Sequence, residues 1–205
     1  MDKGISFIFL CAGADVGERK IPKCLVNNNI IKSINAINYI YQNDNFYEII
    51  VGVGYKNELI KKTLKDYKVK YYENKKYKKK GAAYTAKKCL ELSTKKSAMI
   101  IHGDVVLDIF DLYATDLKSF ITKTQQIDKI KIGLNILNNF VIGFNYTNHD
   151  KWAQLSFLTG KELALAKSVK IKDFWCSHEL LKEVIDNGGK FIARDSNIKE
   201  VSYRS

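Results

Sequence analysis

Two segments of this 205-residue chain hold residue types that could act together on a phosphorylated substrate. The first reads Gly13-Ala14-Asp15-Val16-Gly17-Glu18-Arg19-Lys20-Ile21-Pro22-Lys23 and directly follows an apolar run. A glycine-containing loop after a buried strand lets backbone N–H groups approach phosphate oxygens, and Arg19 and Lys23 supply cations to neutralise them. The loop is neither the dinucleotide GxGxxG nor a GxxxxGK[ST] P-loop, so alone it also fits a surface turn with two basic residues. The second segment is Ile100-Ile101-His102-Gly103-Asp104, an apolar stretch that delivers a carboxylate at its end. Magnesium takes oxygen ligands and usually one or two carboxylates plus substrate phosphates, so one strand-end aspartate beside a phosphate loop is enough to begin a metal site. An aspartate ending a strand is also a common turn former. Its placement beside the first loop is what would distinguish the two.

The elements around these segments alternate. Residues 5–10 form a short apolar run of strand length, and the apolar positions Ile30, Ile31, Ile34, Ile37, Ile40 and Tyr41 recur at helical spacing. Residues 48–53 read as a second buried strand. Asn57 then caps a helix with Leu59, Ile60, Leu64 and Tyr67 on one face. A third strand is expected at 69–72, a helix at 82–92 and a fourth strand at 98–101. This strand–helix alternation, with crossovers of helical length, calls for an α/β fold with a mainly parallel sheet covered by helices on both faces. Ligands in such sheets bind beyond the carboxyl ends of the strands, which singles out the loops after the first, third and fourth strands. The second half is less regular: strands are expected at 129–134, 141–144, 155–158 and 191–193, and an amphipathic helix at 178–187.

Composition bounds the reading. With 46% hydrophobic and 27% charged residues, 12 glycines and one proline, the chain is neither disordered nor collagenous. No apolar run approaches the ~20 residues that cross a bilayer, and residues 5–10 are too short for a leader. One domain spanning 1–205, in the cytoplasm, is expected. Cys11, Cys24, Cys89 and Cys176 are widely separated, so reduced thiols are the default. His102, His149 and His178 are not spaced as metal ligands. The net charge of +12 is concentrated: residues 56–96 carry fifteen lysines against Glu58, Asp66, Glu73 and Glu91, a net +11. An anionic partner is compatible with this. Nucleic acid is disfavoured against a solvated lysine-rich face, because arginine occurs only at Arg19, Arg194 and Arg204.

Taken together, residues 10–13 (LCAG), Arg19, and Pro22-Lys23-Cys24-Leu25 resemble the opening signature of the sugar-phosphate nucleotidyltransferases. Residues 73–84, from Glu73-Asn74 to Gly81-Ala82-Ala83-Tyr84, are similar to that family's base-contacting strand end and helix start, and Gly103-Asp104 to its metal aspartate. The resemblance implies a Rossmann-like GT-A architecture, with residues 1–108 as a nucleotide-binding half and 109–205 as an acceptor half. It implies Mg²⁺-dependent transfer of a nucleotidyl group from a nucleoside triphosphate to a small phosphorylated acceptor of the sugar 1-phosphate, polyol-phosphate or phosphocholine type. Lys23 and Arg19 would hold the triphosphate, Asp104 the metal, and Ala12, Gly13, Ala14, Asn74, Gly81 and Ala82 the nucleotide. The chain departs from the pattern at Asp15, where glycine is usual, in the late position of Arg19, and at Glu200-Val201-Ser202, where serine replaces a second metal aspartate and Glu200 is the nearest carboxylate. A glycosyltransferase of the same architecture is the competing enzyme reading, against which stands the lack of a DxD pair around Asp104. A non-catalytic nucleotide- or nucleic-acid-binding relative is the other alternative.

Overall fold

The computed structural model of the chain describes residues 4–13, 21–42, 45–107, 109–113, 118–125, 132–146 and 149–198. The first half alternates as expected: β1 (Ile5–Cys11), α1 (Asn29–Ile40), β2 (Tyr47–Val53), α2 (Asn57–Thr63), β3 (Lys70–Glu73), α3 (Ala82–Leu92) and β4 (Ser97–His102). β1 pairs in parallel with β2 on one side and β4 on the other, with Leu10 opposite both Gly52 and His102. β2 continues to β3, also in parallel.

A strand buried on both faces reads as a near-continuous apolar run, and β1 does so apart from Ser6, whose hydroxyl is hydrogen-bonded to Glu48. Phe7 and Phe9 point to the layer containing Ile30, Ile34 and Ile37 of α1 and Ile60 of α2, whereas Ile8 packs with Ala83, Ala86 and Leu90 of α3 on the other face. Gly52 in β2 is where α3 comes closest: a Cβ there would sit 2.4 Å from Thr85 Cγ2, so the helix rests on bare backbone.

The second half contains α4 (Ile109–Tyr113), β5 (Phe120–Thr124), β6 (Gly133–Leu137), β7 (Phe140–Asn145), β8 (Lys151–Thr159), α5 (Gly160–Ser168), α6 (Ser177–Asp186) and β9 (Phe191–Asp195). Among the described residues all nine strands join one sheet in the order β3-β2-β1-β4-β8-β5-β9-β7-β6, and β6 also pairs with β8. Helices cover both faces.

The sheet is mixed rather than mainly parallel. β4–β8, β5–β8, β6–β7, β6–β8 and β7–β9 are antiparallel, while in this half only β5–β9 is parallel. In the first half each strand reaches the next through a helix, whereas in the second half β6, β7 and β8 follow one another with no helix among the described residues. β6 and β7 are joined through Asn138 and Asn139, both at positive φ (49° and 65°), and a two-residue turn of that kind can only return the chain antiparallel. The strand expected at 129–134 begins at Gly133 and runs to Leu137; residues 126–131 lie outside the described part.

Candidate active site

The carboxyl ends of β1 and β4 lie side by side and open onto a cavity of about 230 Å³. Its walls come from all three loops singled out by the sheet rule: Leu10 to Gly13 and Lys23-Cys24 after β1, Tyr77 and Lys80 to Ala82 with Thr85 after β3, and His102 to Asp104 at the end of β4.

Gly103 makes the junction possible. Its N–H donates to Leu10 O at 3.2 Å, and a Cβ at this position would lie 2.5 Å from Cys11 Sγ and 2.8 Å from Cys24 Cβ. The chain then turns at Asp104, whose carbonyl accepts a hydrogen bond from Asn29 Nδ2 at 3.2 Å. Ser33 continues the anchorage, donating to Val105 O and accepting from Leu107 N. α1 therefore fixes the backbone of residues 104–107 and leaves the Asp104 side chain at the cavity.

Lys23 is presented by a different device. Pro22 is extended and precedes a 3-10 turn, Lys23–Asn28, in which Leu25 N–H donates to Pro22 O. Cys24, 2% exposed, is buried against Cys11 and Gly103 and anchors the turn, so its neighbour Lys23 is left exposed at the cavity rim. The Cys11 thiol, hydrogen-bonded to Cys24 and fully buried, is held well above its usual pKa and stays protonated, which removes it as a nucleophile.

The third wall is a loop shaped by Asn74. Its amide nitrogen donates to Lys80 O at 2.8 Å and to Thr85 Oγ1 at 3.0 Å, and its Oδ1 accepts from Lys76 N–H at 3.1 Å. Asn74 is 1% exposed and behind the cavity wall, so its hydrogen-bonding capacity is used to hold the loop rather than turned toward the cavity. Gly81 and Ala82 do face the cavity. Gly81 precedes α3 with no side-chain cap, and a Cβ there would lie 2.2 Å from Trp175 O.

Lys23 and Asp104 are thus brought together with Ala12, Gly13, Gly81 and Ala82 around one space. Ala14, Arg19 and Glu200 lie outside the described residues. His102, set aside as an isolated histidine in the sequence reading, lines the same cavity. Burial pushes its imidazole below the usual range against the opposing pull of Asp104, with His178 and Lys23 adding to the depression. Tyr77 and Lys80, in the loop after β3, and Thr85, in the first turn of α3, line the cavity as well. Trp152 is core, packed edge-on against His102 with centroids 5.3 Å apart, while Tyr146 and Phe174 are exposed.

Magnesium fits the donor chemistry here. Among the described residues no cluster of three His, Cys, Asp or Glu side chains could hold a metal alone, and Asp104 is a single hard oxygen donor. That suits an ion which keeps water and completes its shell with substrate phosphates.

No family model and no curated protein matches the sequence. Solved structures do match in fold. The CTP:phosphocholine cytidylyltransferase of Streptococcus pneumoniae is similar at 18% identity with a TM-score of 0.75, covering 97% of this chain and 93% of that one. The inositol-1-phosphate CTP transferase of T. maritima is similar at 16% identity and TM-score 0.71, covering 97% and 89%. HddC from Yersinia pseudotuberculosis complexed with GMP-PN matches at 15% and 0.67, covering 95% and 91%. The chain shares the α/β fold of these three proteins over nearly its whole length. In the described residues no helix is long and apolar enough to cross a membrane.

Proposed function

We propose that the protein is a nucleotidyltransferase that transfers a nucleoside monophosphate from a nucleoside triphosphate to a small phosphorylated acceptor, with Mg²⁺ and release of pyrophosphate. The observation that carries this reading is the convergence of Lys23, Asp104 and the α3 amino terminus on one cavity at the carboxyl ends of parallel strands. A phosphate oxygen of the acceptor attacks the α-phosphorus, a new P–O bond forms, the bond to the bridging α–β oxygen breaks, and pyrophosphate leaves with the electron pair. No side-chain nucleophile is needed, so catalysis reduces to alignment and charge neutralisation.

Lys23 neutralises the triphosphate and the leaving pyrophosphate. The exposed backbone at Gly13, Gly81 and Ala82 receives the nucleotide, as only residues without large side chains permit. Asp104 would hold the magnesium, which when bound withdraws charge from phosphate oxygens. Arg19 and Ala14 as further nucleotide contacts, and Glu200 as a second carboxylate, belong to this proposal on the strength of the sequence resemblance alone. Acceptors of the sugar 1-phosphate, polyol-phosphate and phosphocholine classes are the ones to try, since proteins of this fold are named for inositol 1-phosphate and for phosphocholine. The test is pyrophosphate release with each of the four ribonucleoside triphosphates and a panel of these acceptors, with and without Mg²⁺. Dependence on both triphosphate and acceptor is expected; hydrolysis or no turnover with every pair would overturn the reading.

A further inference from the structure

The connection from α5 to α6 runs as a strap along the outside of the cavity wall. Three hydrogen bonds fasten it to α3 and the loop before it: Lys87 Nζ donates to Val169 O at 2.6 Å, Phe174 N–H to Lys79 O at 2.9 Å, and Ala83 N–H to Trp175 O at 3.1 Å. The fit is tight enough that Gly81 admits no Cβ, and Phe174 is held at φ +63°, a left-handed conformation that a bulky residue adopts only under constraint.

Onto this backbone attachment the chain adds one carboxylate. Asp173 bridges Lys80 through Oδ1 and Lys79 through Oδ2, the latter at 3.4 Å. Among the described residues it is the only acid bridged to the lysine-rich loop that contains Lys75, Lys76, Lys78, Lys79 and Lys80. Lys80 lines the cavity; Asp173 does not. Because the strap is already fastened by main-chain groups, the carboxylate is not needed to hold the strap down. Its two oxygens instead hold the ammonium groups of Lys79 and of Lys80, a residue that lines the cavity.

We propose that Asp173 is a positioning residue for nucleotide binding: by clamping Lys79 and Lys80 it sets the wall from Lys80 to Ala82, so that a residue of the second half of the chain tunes affinity for the triphosphate. The inference rests on the nucleotidyltransferase reading above. Hydrogen bonds from Lys80 and then Lys79 hold the Asp173 carboxyl below its usual range, so it is ionised at neutral pH.

The test compares wild type with Asp173→Asn, Asp173→Glu and Lys79→Met. Calorimetry with CTP, UTP, ATP and GTP gives binding, steady-state kinetics follow turnover, and hydrogen exchange is followed at Gly81 and Ala82 in the protein without nucleotide. Asp173→Asn should raise Kd and KM for the bound triphosphate by roughly tenfold, the scale of cost for a misplaced binding group, with kcat changed less than about twofold. Asp173→Glu should restore most of the loss, Lys79→Met should produce a smaller one, and exchange at Gly81 and Ala82 should speed up in Asp173→Asn. Wild-type Kd in Asp173→Asn, an equal loss in Asp173→Glu, or a fall confined to kcat overturns the positioning role alone. Unchanged exchange at Gly81 and Ala82 does so without reference to any nucleotide. Failure of wild type to bind any of the four triphosphates overturns the enzymatic reading, and this inference with it.

Discussion

Ser177 Oγ lies 2.6 Å from Nε2 of His102, joining the first turn of α6 to the strand that carries Asp104 two residues later. Ser177 is 3% exposed, and this bond gives the half-buried His102 ring a polar partner beside the cavity. Ser177→Ala should therefore destabilise the protein by about 1 kcal/mol, the net contribution of a typical hydrogen bond. Urea unfolding measures the difference, and a shift no larger than that of an exposed serine would mean that the ring finds another partner.

Lys23 is exposed at the rim and its neighbour Cys24 carries the local packing, so binding and folding separate at this position. Lys23→Ala is expected to weaken triphosphate affinity by about tenfold or more, the range for losing a charge-assisted hydrogen bond, with the melting temperature unchanged. Titration calorimetry with nucleotide, paired with thermal unfolding, checks both halves. Unaltered affinity would remove Lys23 from the site.

At Asp104 the expectation reverses, because the backbone is held by Asn29 and Ser33 independently of the carboxylate. Asp104→Asn preserves shape and removes charge. Turnover should fall by about 10²–10³-fold, as for other dominant electrostatic groups, with a much smaller change in nucleotide affinity. Rates near wild type at saturating Mg²⁺ would place the metal on other residues.

The strand-end positions were legible in the sequence because apolar runs followed by glycine or aspartate mark where a parallel sheet stops. Lys23, Gly81 and Asp104 all fall in the loops that follow those strands. β5 was not legible: Thr122 and Thr124 read as polar, yet both are buried, and Thr122 Oγ1 is satisfied by Leu155 O at 2.8 Å. α5 was hidden by its narrow apolar stripe, of which only Leu163 and Ala166 are buried. The mixed sheet escaped because pairing direction depends on connections, and the Asn138-Asn139 turn was not read as a hairpin. Within the site, His102 had no signal of its own, since its partner lies 75 residues away in sequence. Asn74 falls in the expected loop, and its three hydrogen-bond partners, all within residues 76–85, were not legible because a side-chain amide in sequence does not show what it bonds.

The acid response of the fold should be set far from the cavity, at Glu48. This residue immediately precedes the buried part of β2, where Ser6 Oγ of β1 donates to it at 2.6 Å, Thr94 N–H at 2.7 Å, and Lys70 of β3 forms an ion pair at 2.5 Å. Burial alone would raise its pKa. The hydrogen bonds from Lys70, Ser6 and Thr94 outweigh that and hold it at about 2, below the 4.5 of a free glutamate. A carboxylate whose pKa is lower in the folded state stabilises the fold fully above the unfolded value, and that contribution is lost as pH falls through the folded value. Stability should accordingly decline between about pH 5 and pH 2, with Glu48 supplying on the order of 1–2 kcal/mol once solvent screening is allowed for. Glu48→Gln should lose that amount at neutral pH and show a flatter decline on acidification. Urea midpoints of the two proteins across this range decide it: parallel curves would assign the acid sensitivity to other carboxylates, whereas curves that converge toward low pH are the expected result.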